Sequence, residues 1–506
     1  MEHYDHKCEL KDLQFYFKKR QKGFQFDRLY QRKLWDGYDH FVKIDKETSA
    51  ITIGVGLWRE IFYFGKKYDY NIDIPNLHDL LNLSFTKDQL DKFASVMLDG
   101  SDIEARDYQL EAVHRALKYK FCSLELATSA GKTIVFYLYL AFLKRKGVIK
   151  KAGKKALIVV PRTSLVGQTV DKFVKDYNTG LIDLNVVAIG GKNKFKQKTF
   201  DNADIVVGTY QSLINLPVEF FANFSVVCID ECHTSRGESI KTILLNSINA
   251  EYKLGLSGTI KIEDEYSDFF RIQEYMGPLS MVLPAKHLID NNYSPDVYVK
   301  MVYLDYPQEE PFVKQYIEMR DSGRAGKDLF DMEREFIVGY QPRIDFISSF
   351  VKKLGGNCLI LYINVKDQYG QRICDTIKEW NEHTYYIDGG VDTDSRDDFQ
   401  AIMEANTNVT LVASYGTFST GIDLKNVNHI ILAESYKSEV TIRQSIGRGM
   451  RNLAGKVKIN IYDLIDDLHG YIIKHGNARE KIYAKQEFIV SKHRFDLTKF
   501  AKKLSA

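Results

Sequence analysis

The chain has 506 residues, and at roughly 100–200 residues per domain this length predicts about three domains. Hydrophobic residues make up 44% and charged residues 27%, a balance typical of globular domains with buried cores. With 70 Lys and Arg against 67 Asp and Glu, the formal net charge is only +3. This balance excludes a uniformly basic protein surface, so any surface that binds nucleic acid must be a local groove.

The cysteine pattern and the N-terminal residues indicate the cellular compartment in which the protein is found. The six cysteines form no C-x-x-C pair, and four lie in or beside apolar runs, where a cysteine usually acts as a small buried hydrophobe. We expect a reducing environment without a disulfide framework or structural zinc. The charged N-terminus lacks the apolar segment of a signal peptide, and no stretch approaches the ~18 apolar residues of a membrane span. The sequence thus predicts a cytoplasmic protein without a membrane partner.

The composition and the hydrophobic pattern of the chain change near residue 96. Residues 1 to about 95 are rich in aromatic and basic residues, whereas short β-branched runs then alternate with amphipathic stretches such as Thr133 to Arg145. Compact apolar runs bounded by turn residues are typical of strands buried on both faces of a parallel sheet. Such runs lie at 121–126, Leu157–Val160, Ile205–Val207 and Val226–Ile229. The alternation predicts βαβ units.

This alternation breaks near residues 284–296 and then resumes. The later runs are Cys358–Tyr362, Val409–Val412, Ile430–Leu432 and Val457–Tyr462. We therefore predict an α/β protein with two parallel-sheet lobes, residues 96–290 and 291–475, the second range beginning with a connector. A small α+β or β-rich domain of residues 1–95 would precede them, and a basic helical extension of residues 476–506 would follow.

A candidate phosphate-binding loop follows the run 121–126 and opens a helix. Such a loop directs backbone N–H groups and a helix N-terminus at anionic phosphate. Lys132 would reach the β- and γ-phosphates of ATP, and the Thr133 hydroxyl would ligate Mg²⁺. Leu126 stands where the strict motif has its first glycine, which leaves a solvated strand-to-helix turn as the alternative. The candidate nucleotide-binding residues are Thr128, Ser129, Ala130, Gly131, Lys132 and Thr133.

Two adjacent carboxylates end the apolar run that begins at Ser225. Phosphoryl transfer needs one carboxylate in the metal shell and one that orients the attacking water. Asp230 at the strand tip suits the metal role together with Thr133, and Glu231 suits the catalytic role. A helix cap is the alternative for an Asp-Glu pair after a strand. With Lys132, the pair predicts hydrolysis of ATP with Mg²⁺.

The stretch Asp230-Glu231-Cys232-His233 resembles the D-E-x-H box of superfamily-2 helicases, and further motifs follow that family's order. The stretch from Arg106 to Gln109 resembles the Q motif, which implies that both ends contribute to nucleotide binding and that Gln109 bonds the adenine edge. Ser257-Gly258-Thr259 resembles motif III, which implies that Ser257 and Thr259 couple the lobes through His233. The resemblance implies two tandem RecA-like lobes with ATP and Mg²⁺ as cofactors.

The resemblance continues in the second half of the chain. Residues 444–451 resemble the family's Q-x-x-G-R-x-x-R motif, which implies that Gln444, Arg448 and Arg451 are catalytic. Arginine spreads positive charge over the transferred phosphoryl oxygens, as an arginine finger does. A second stretch, residues 413–423, resembles motif V and implies that Gly421 and Asp423 also contribute to nucleotide binding. Taken singly, any of these residues has a surface role as its alternative.

Further motifs resemble those that hold the nucleic-acid backbone in this family. They carry hydroxyls, backbone amides and arginines at strand-to-helix turns, groups that bind phosphates and ignore base identity. Helix capping is the alternative for the Ser and Thr residues. The implied nucleic-acid-binding residues are Arg162, Thr163, Gln168, Gly208, Thr209, Gln211, Gly390, Arg396, Ser414 and Thr417.

The segment before the two lobes indicates to which branch of the helicase family the chain is similar. Arg28 to Tyr30 and Lys33 to Tyr38 resemble the small N-terminal domain of phage branch-migration helicases, with Leu34 where those carry Asn. The alternative is a plain Trp-Asp-Gly hairpin turn. The resemblance implies an N-terminal DNA-binding domain that holds duplex DNA at a branch. The whole chain would then be a monomeric, ATP-dependent DNA helicase of the host cytoplasm that unwinds or branch-migrates forks, D-loops and Holliday junctions in phage recombination, repair and replication restart.

Two other functions remain open at this point. One is an RNA or R-loop helicase, or a restriction-type duplex translocase, because the helicase motifs do not distinguish DNA from RNA or a single strand from a duplex. The other is a nucleotide-gated DNA-binding ATPase that does not separate strands. The presence of Glu231, Arg448 and Arg451 argues against this last function, because these residues imply active turnover.

Overall fold

The computed structural model describes residues 6–501 except for 46, 49, 73–84, 151–153, 178–180, 183, 192, 235–236, 261–265, 323–326, 364–366, 389–392, 419–423, 425, 435–441, 444, 448–457 and 469. For residues 6–9, 327, 393–397, 400 and 501 it describes the backbone alone. The chain divides into two compact units, Met1–Leu283 and Pro284–Ala506. Among the described residues, none of the helices combines the length and the apolar character that crossing a membrane requires.

The N-terminal segment of the first unit contains two small antiparallel pairs. Strand β1 (Lys18–Arg20) pairs with β2 (Tyr38–His40), and β3 (Val42–Ile44) pairs with β4 (Ile51–Ile53). These pairs agree with the predicted α+β character. The helices of the segment are His6–Tyr16, Arg28–Gln31, Trp58–Tyr68 and Lys87–Leu98, with 3₁₀ turns at Phe24–Phe26 and Val55–Leu57.

This segment shares its hydrophobic core with the lobe that follows. Phe17, Phe41 and Phe64 pack in one cluster with Phe270, which belongs to the later helix Ser267–Met276. The backbones approach closely as well, because a Cβ at Gly56 would lie 1.9 Å from the carbonyl oxygen of Gln273. Removing residues 1–95 would therefore expose an apolar face of the lobe.

The first lobe is a seven-stranded sheet whose strands pair in parallel. Its strands are β5 (Phe121–Leu126), β6 (Lys155–Val160), β7 (Val186–Ile189), β8 (Ile205–Thr209), β9 (Phe224–Asp230), β10 (Tyr252–Ser257) and β11 (Leu279–Leu283). They lie in the order β11-β5-β10-β9-β6-β8-β7. The predicted apolar runs of this lobe are thus confirmed as buried parallel strands.

Helices connect these strands across the sheet. The helix Lys132–Arg145 after β5 is buried from Ile134 to Leu143, which explains why its sequence is apolar on every face. The other helices are Asp107–Tyr119, Thr163–Asp171, Gln197–Asn202, Tyr210–Leu213, Val218–Phe221, Glu238–Asn246 and Ser267–Met276, with a π-turn at Lys172–Asp176 and a 3₁₀ turn at Cys232–Thr234.

The second unit holds another seven-stranded parallel sheet. Its strands are β12 (Asp296–Asp305), β13 (Cys358–Tyr362), β14 (Thr384–Ile387), β15 (Thr410–Ser414), β16 (His429–Leu432), β17 (Lys458–Asp467) and β18 (Ile489–Asp496). The order is β14-β15-β13-β16-β17-β12-β18. Its helices are Ala285–Asp290, Pro311–Asp321, Lys327–Gly339, Gln341–Leu354, Tyr369–Lys378, Thr393–Ala405, Tyr415–Phe418, Tyr471–Lys485 and Thr498–Ala501. Two parallel α/β sheets confirm the predicted fold class.

Two strands of this sheet differ from the sequence expectation. Strand β12 lies in the stretch expected to be a connector, and it pairs along ten residues with β17. Tyr298, Lys300 and Tyr303 interrupt its aliphatic residues, so it does not form the compact aliphatic run by which the other strands are recognised. Strand β18 lies in the stretch 476–506 expected to be helical, and it forms the sheet edge beside β12. Its mostly exposed, charged side chains suit an edge strand and hide its character in the sequence.

A buried ion pair ties the second unit together. The fully buried Arg343 of helix Gln341–Leu354 donates from Nε to Asp466 Oδ1 at 2.6 Å and from Nη2 to Asp466 Oδ2 at 2.9 Å. The same Nη2 donates to the Ala433 carbonyl at 2.8 Å, just after β16, and Tyr306 donates to Asp466 at 2.7 Å. Burial opposes the charge of Arg343, but Asp466 beside it raises its pKa. The pair fastens the helix to the carboxyl ends of β16 and β17.

We predict that Arg343→Met lowers the free energy of unfolding of the second unit by about 3–5 kcal/mol, because Asp466 is left buried without its partner. Chemical denaturation monitored by fluorescence measures the change. Lys353→Met, an exposed position on the same helix, is the matched control and should stay within about 0.5 kcal/mol of the parent. A cost for Arg343→Met no larger than that of the control would contradict the assignment.

Candidate ATPase site and nucleic-acid face

The sheet order of the first lobe explains how distant motifs meet. Strands β5, β10 and β9 are neighbours and run in parallel, so their carboxyl ends lie at one edge of the sheet. The phosphate-binding loop follows β5, Ser257 ends β10, and Asp230 ends β9. Strands β6 and β8, which carry or precede predicted nucleic-acid-binding residues, continue the same sheet on the other side of β9.

The loop after β5 has the backbone of an anion-binding loop. Ser129 and Gly131 both have positive φ, at 73° and 79°, and Gly131 precedes the helix Lys132–Arg145. A Cβ at position 131 would lie 2.5 Å from Gln109 Nε2, so the position needs glycine for space as well as for conformation. Successive N–H groups in such a turn form a concavity that suits a phosphate.

An ion pair joins this loop to the two carboxylates. Lys132 Nζ lies 2.7 Å from Glu231 Oε1, and both side chains are mostly buried. Glu231 has a φ of 54°, a strained backbone conformation of the kind found at functional sites. The structure therefore brings together the three residues on which the ATPase prediction depends, Lys132, Asp230 and Glu231.

The electrostatics of the three groups are strongly perturbed. Burial raises the pKa of the Asp230 carboxyl to about 6, against the opposing effect of Lys132. Glu231 is buried too, but Lys132 and His233 hold its pKa well below its usual range. Burial disfavours the Lys132 ammonium, yet Glu231 and Asp230 together raise its pKa. In this arrangement Glu231 neutralises the cation that an ATP phosphate would otherwise contact.

The donor set fits a nucleotide-bound Mg²⁺. This ion is usually held by one or two carboxylates together with phosphate oxygens and water. Asp230 supplies a carboxylate at the end of β9, and Thr133 supplies a half-buried hydroxyl in the first turn of the helix after the loop. A cation there would favour the ionised form of Asp230, whose pKa burial raises.

A hydroxyl links the carboxylate pair to the strand beside it. Ser257 Oγ donates to Glu231 Oε2 at 3.2 Å, lies 2.7 Å from His233 Nδ1 and accepts from the Thr259 amide at 3.1 Å. The neighbouring Gly258 packs against the phosphate-binding loop, since a Cβ there would lie 3.1 Å from Thr128 Oγ1. Of the predicted coupling residues, Ser257 and His233 thus contact Glu231 and Thr259 bonds Ser257, and their coupling role stays a prediction.

Gln109 has an observed task that the motif did not suggest. Its side chain is nearly fully buried, accepts from the Arg106 amide at 2.9 Å and donates to the Ala130 carbonyl at 2.9 Å. It therefore ties the start of its own helix to the phosphate-binding loop. Arg106 donates to Tyr108. Contact of either residue with adenine stays a prediction.

The predicted nucleic-acid-binding residues fall into two groups. Arg162 is half-buried, and Thr163, Gln168 and Gln211 are exposed at the helices after β6 and β8. Gly208 and Thr209 are buried, and the Thr209 hydroxyl caps the helix Tyr210–Leu213 by accepting from the Ser212 amide at 3.3 Å.

The corresponding hydroxyls of the second unit are also engaged in capping. Ser414 Oγ accepts from the Thr417 amide at 3.1 Å and lies 2.8 Å from Thr417 Oγ1, and both side chains are buried. The capping alternative is thus realised at Thr209 and Ser414, although their backbones can still approach a phosphate. Several predicted site residues lie outside the described residues or, for Arg396, have only their backbone described: Gly390, Arg396, Gly421, Asp423, Gln444, Arg448 and Arg451.

The structure also assembles a basic, aromatic groove that no motif indicated. We call it the N-terminal groove; its volume is about 460 Å³, and it is lined by Phe15, Tyr16, Lys18, Lys19, Arg20, Tyr38, Lys67, Tyr68 and Tyr266. Four of these residues are cations and four are tyrosines. The run from Tyr16 to Arg20 was the available sequence signal, but the partners Lys67 and Tyr266 are distant in the chain.

Comparison with known proteins identifies the class. Residues 102–262 match the family model described as the res subunit of type III restriction enzymes, and residues 342–452 match the conserved C-terminal domain of helicases. With the geometry of Lys132, Asp230 and Glu231, these matches show that the chain belongs to the superfamily-2 helicases and is an ATP-dependent enzyme.

Individual relatives span the chain to different extents. The chain is 29% identical over 499 residues to the ATP-dependent DNA helicase UvsW of Enterobacteria phage T4, covering 94% of each protein. A relative from Acanthamoeba polyphaga mimivirus, L396, carries the name of an ATP-dependent RNA helicase and is 24% identical over 73% of this chain and 65% of its own. Among solved structures, Dbp5 of S. cerevisiae shares the fold at 13% identity, with a TM-score of 0.51 over 85% of this chain and 97% of that one.

We predict that Lys132→Ala and Glu231→Gln both reduce ATP turnover by roughly 100- to 10,000-fold. Lys132→Ala should also weaken ATP binding strongly, because it removes the phosphate contact. Glu231→Gln should bind ATP at least as tightly as the parent, because the amide no longer neutralises Lys132. Steady-state hydrolysis and titration with a fluorescent ATP analogue measure the two effects. Glu238→Gln, at an exposed carboxylate nearby, is the matched control. Hydrolysis by Glu231→Gln near the parent rate would show that another group orients the water.

Proposed function

We propose that this protein is a structure-directed DNA helicase that unwinds or branch-migrates forks, D-loops and Holliday junctions. It would act with ATP and Mg²⁺, as a monomer in the host cytoplasm, during phage recombination, repair and replication restart. The observation that carries the proposal is the convergence of Lys132, Asp230 and Glu231 at adjacent strand ends. The full-length similarity to UvsW, which is named a DNA helicase, supports DNA as the substrate.

The chemistry begins with an exchange of ion-pair partners. ATP brings phosphates that take Lys132 from Glu231, and the released carboxylate can then accept a hydrogen bond from the attacking water. Asp230 and Thr133 would hold Mg²⁺, which would supply positive charge to the phosphates. Release of Glu231 from Lys132 would alter the hydrogen bonds of Ser257, because the Ser257 hydroxyl bonds the Glu231 carboxylate and the His233 ring. The half-buried Arg162 and the exposed Thr163, Gln168 and Gln211 follow the backbone of one strand.

The arginines of the second unit complete the proposal for catalysis. Their motif supports placing positive charge from Arg448 and Arg451 on the transferred phosphoryl group, and Gln444 beside the reacting phosphate. Such charge acts mainly on the transition state, so it changes the rate more than the binding of ATP.

We predict that Arg451→Ala retains ATP binding and loses DNA-stimulated hydrolysis by roughly 10³-fold or more, as expected for loss of an arginine finger. Arg448→Ala should behave in the same way. Nucleotide titration and ATPase rates at saturating DNA check both. Arg320→Ala, at an arginine outside the motif, is the control. Full DNA-stimulated turnover in Arg451→Ala would remove this residue from the catalytic set.

The substrate assignment is tested by comparing nucleic acids of equal length. We expect forked DNA and four-way junctions to be separated at the expense of ATP, and blunt RNA duplex to be separated at least about tenfold more slowly. Glu231→Gln serves as the inactive control. Faster separation of RNA than of forked DNA would favour an RNA helicase, the function that the name of L396 suggests for that relative. Stimulated hydrolysis without separation of any strand would favour a nucleotide-gated DNA-binding protein.

A further inference from the structure

The N-terminal groove is built by residues that the fold brings together from three places. Strand β1 supplies Lys18, Lys19 and Arg20, and Tyr38 stands directly opposite Arg20 on β2. The end of helix Trp58–Tyr68 supplies Lys67 and Tyr68. Tyr266 comes from the first lobe, where its backbone forms a bridge with that of Arg20. The groove therefore spans the N-terminal segment and the lobe within one compact unit.

Cations in this groove are held against the faces of aromatic rings. Lys18 Nζ lies 4.2 Å from the centre of the Tyr38 ring, and the Arg20 guanidinium lies 4.7 Å from the same ring. Arg20 also donates to the Tyr38 hydroxyl at 2.5 Å. Lys67 lies 5.6 Å from the ring of Tyr68. Side chains ordered before binding lose less freedom when a ligand arrives, which favours tight binding.

The composition of the groove identifies the chemistry of its ligand. Its nine lining residues include four cations and no carboxylate, although Lys18 pairs with Asp36 at the border. Cations of this kind hold phosphates, and tyrosine rings offer surfaces on which bases stack. Phosphates and stackable rings occur together in a strand of nucleic acid.

We propose that the N-terminal groove binds an unpaired DNA strand. A base displaces the Lys18 ammonium from the Tyr38 ring, and the phosphates contact Lys18, Arg20 and Lys67. This proposal rests on the proposed function in that strand separation would supply the strand. An unpaired strand fits better than a duplex, because the bases of a duplex already stack on each other and cannot reach a tyrosine at the wall of a groove. The groove thus holds a product of unwinding, in contrast to the duplex-binding role that the sequence implied for this segment.

The electrostatic half of the proposal is tested by binding without nucleotide. The probes are a fluorescent 20-nucleotide oligo-dT, the same length of oligo-rU and a blunt 20-base-pair DNA duplex. Arg20→Gln combined with Lys67→Gln should weaken oligo-dT binding at least about tenfold and lower the slope of log affinity against log salt by about 1.4, which is about 0.7 for each of two phosphate contacts. The control, Arg32→Gln combined with Lys66→Gln, removes the same charge from exposed positions outside the groove. Thermal unfolding verifies that both double variants fold.

The stacking half is tested at one ring. Tyr38→Leu should weaken oligo-dT binding by about tenfold, whereas Tyr38→Phe, which keeps the ring, should stay close to the parent. Photo-crosslinking with 5-iododeoxyuridine in the oligonucleotide should attach to the peptide that contains Tyr38, and this attachment locates the strand directly.

Particular outcomes overturn the proposal. The first such outcome is that the Arg20→Gln, Lys67→Gln variant binds oligo-dT as tightly as the control variant does and that the slope of log affinity against log salt is unchanged. Others are an equal loss of duplex binding, which would make the groove a general electrostatic surface, and a loss confined to oligo-rU, which would make the ligand RNA. Because binding is measured without ATP, it is independent of strand separation. Groove-dependent binding in a protein that fails to unwind forks would refute the proposed function and leave the groove assignment standing.

Discussion

The ion pair between Lys132 and Glu231 is the interaction on which the geometry of the candidate ATPase site depends. It forms because β5 and β9 flank β10 in a parallel sheet and all three strands end at one edge. A buried cation and a buried carboxylate each carry a large desolvation cost, and each offsets that cost for the other. The Lys132 ammonium is therefore already paired with a carboxylate, and under the proposed function an ATP phosphate would have to replace Glu231 as its partner. Under the proposed function, such an exchange would link ATP binding at the loop to the position of Glu231, and through the Ser257 hydrogen bond to the end of β10.

Short sequence patterns predicted those parts of the fold that depend on residues close together in the chain. The run 121–126, the loop to Lys132 and the carboxylates after β9 were predicted closely, because a buried strand followed by a phosphate-binding turn has a short sequence signature. Strand β12 was missed because Lys300 and two tyrosines interrupt its aliphatic run, and β18 was missed because its mostly exposed side chains resemble those of a surface helix. The N-terminal groove was missed for a different reason, since the partners of Arg20 are separated from it in sequence and meet only through tertiary packing.

Serine and threonine at strand ends show the limit of motif resemblance. A hydroxyl after a strand can accept an amide hydrogen bond from the next helix or bind a phosphate, and the residue type is the same in both cases. In the structure Thr209 and Ser414 make the capping bond. The motif at these positions thus shapes the turn, while exposed neighbours such as Gln211 are the side chains that face outward. Gln109 gives a similar lesson, because its amide supports the phosphate-binding loop from behind.

The core shared by Phe17, Phe41 and Phe270 means that the N-terminal segment is not an interchangeable module. The helix that carries Phe270 begins at Ser267, ten residues after Ser257 at the end of β10, so the segment packs against an element that follows the candidate ATPase site closely in the chain. For protein engineering, a chimaera that transplants this segment onto another helicase has to carry the matching face of helix Ser267–Met276. For evolution, substitutions on the two sides of that face are constrained to change together.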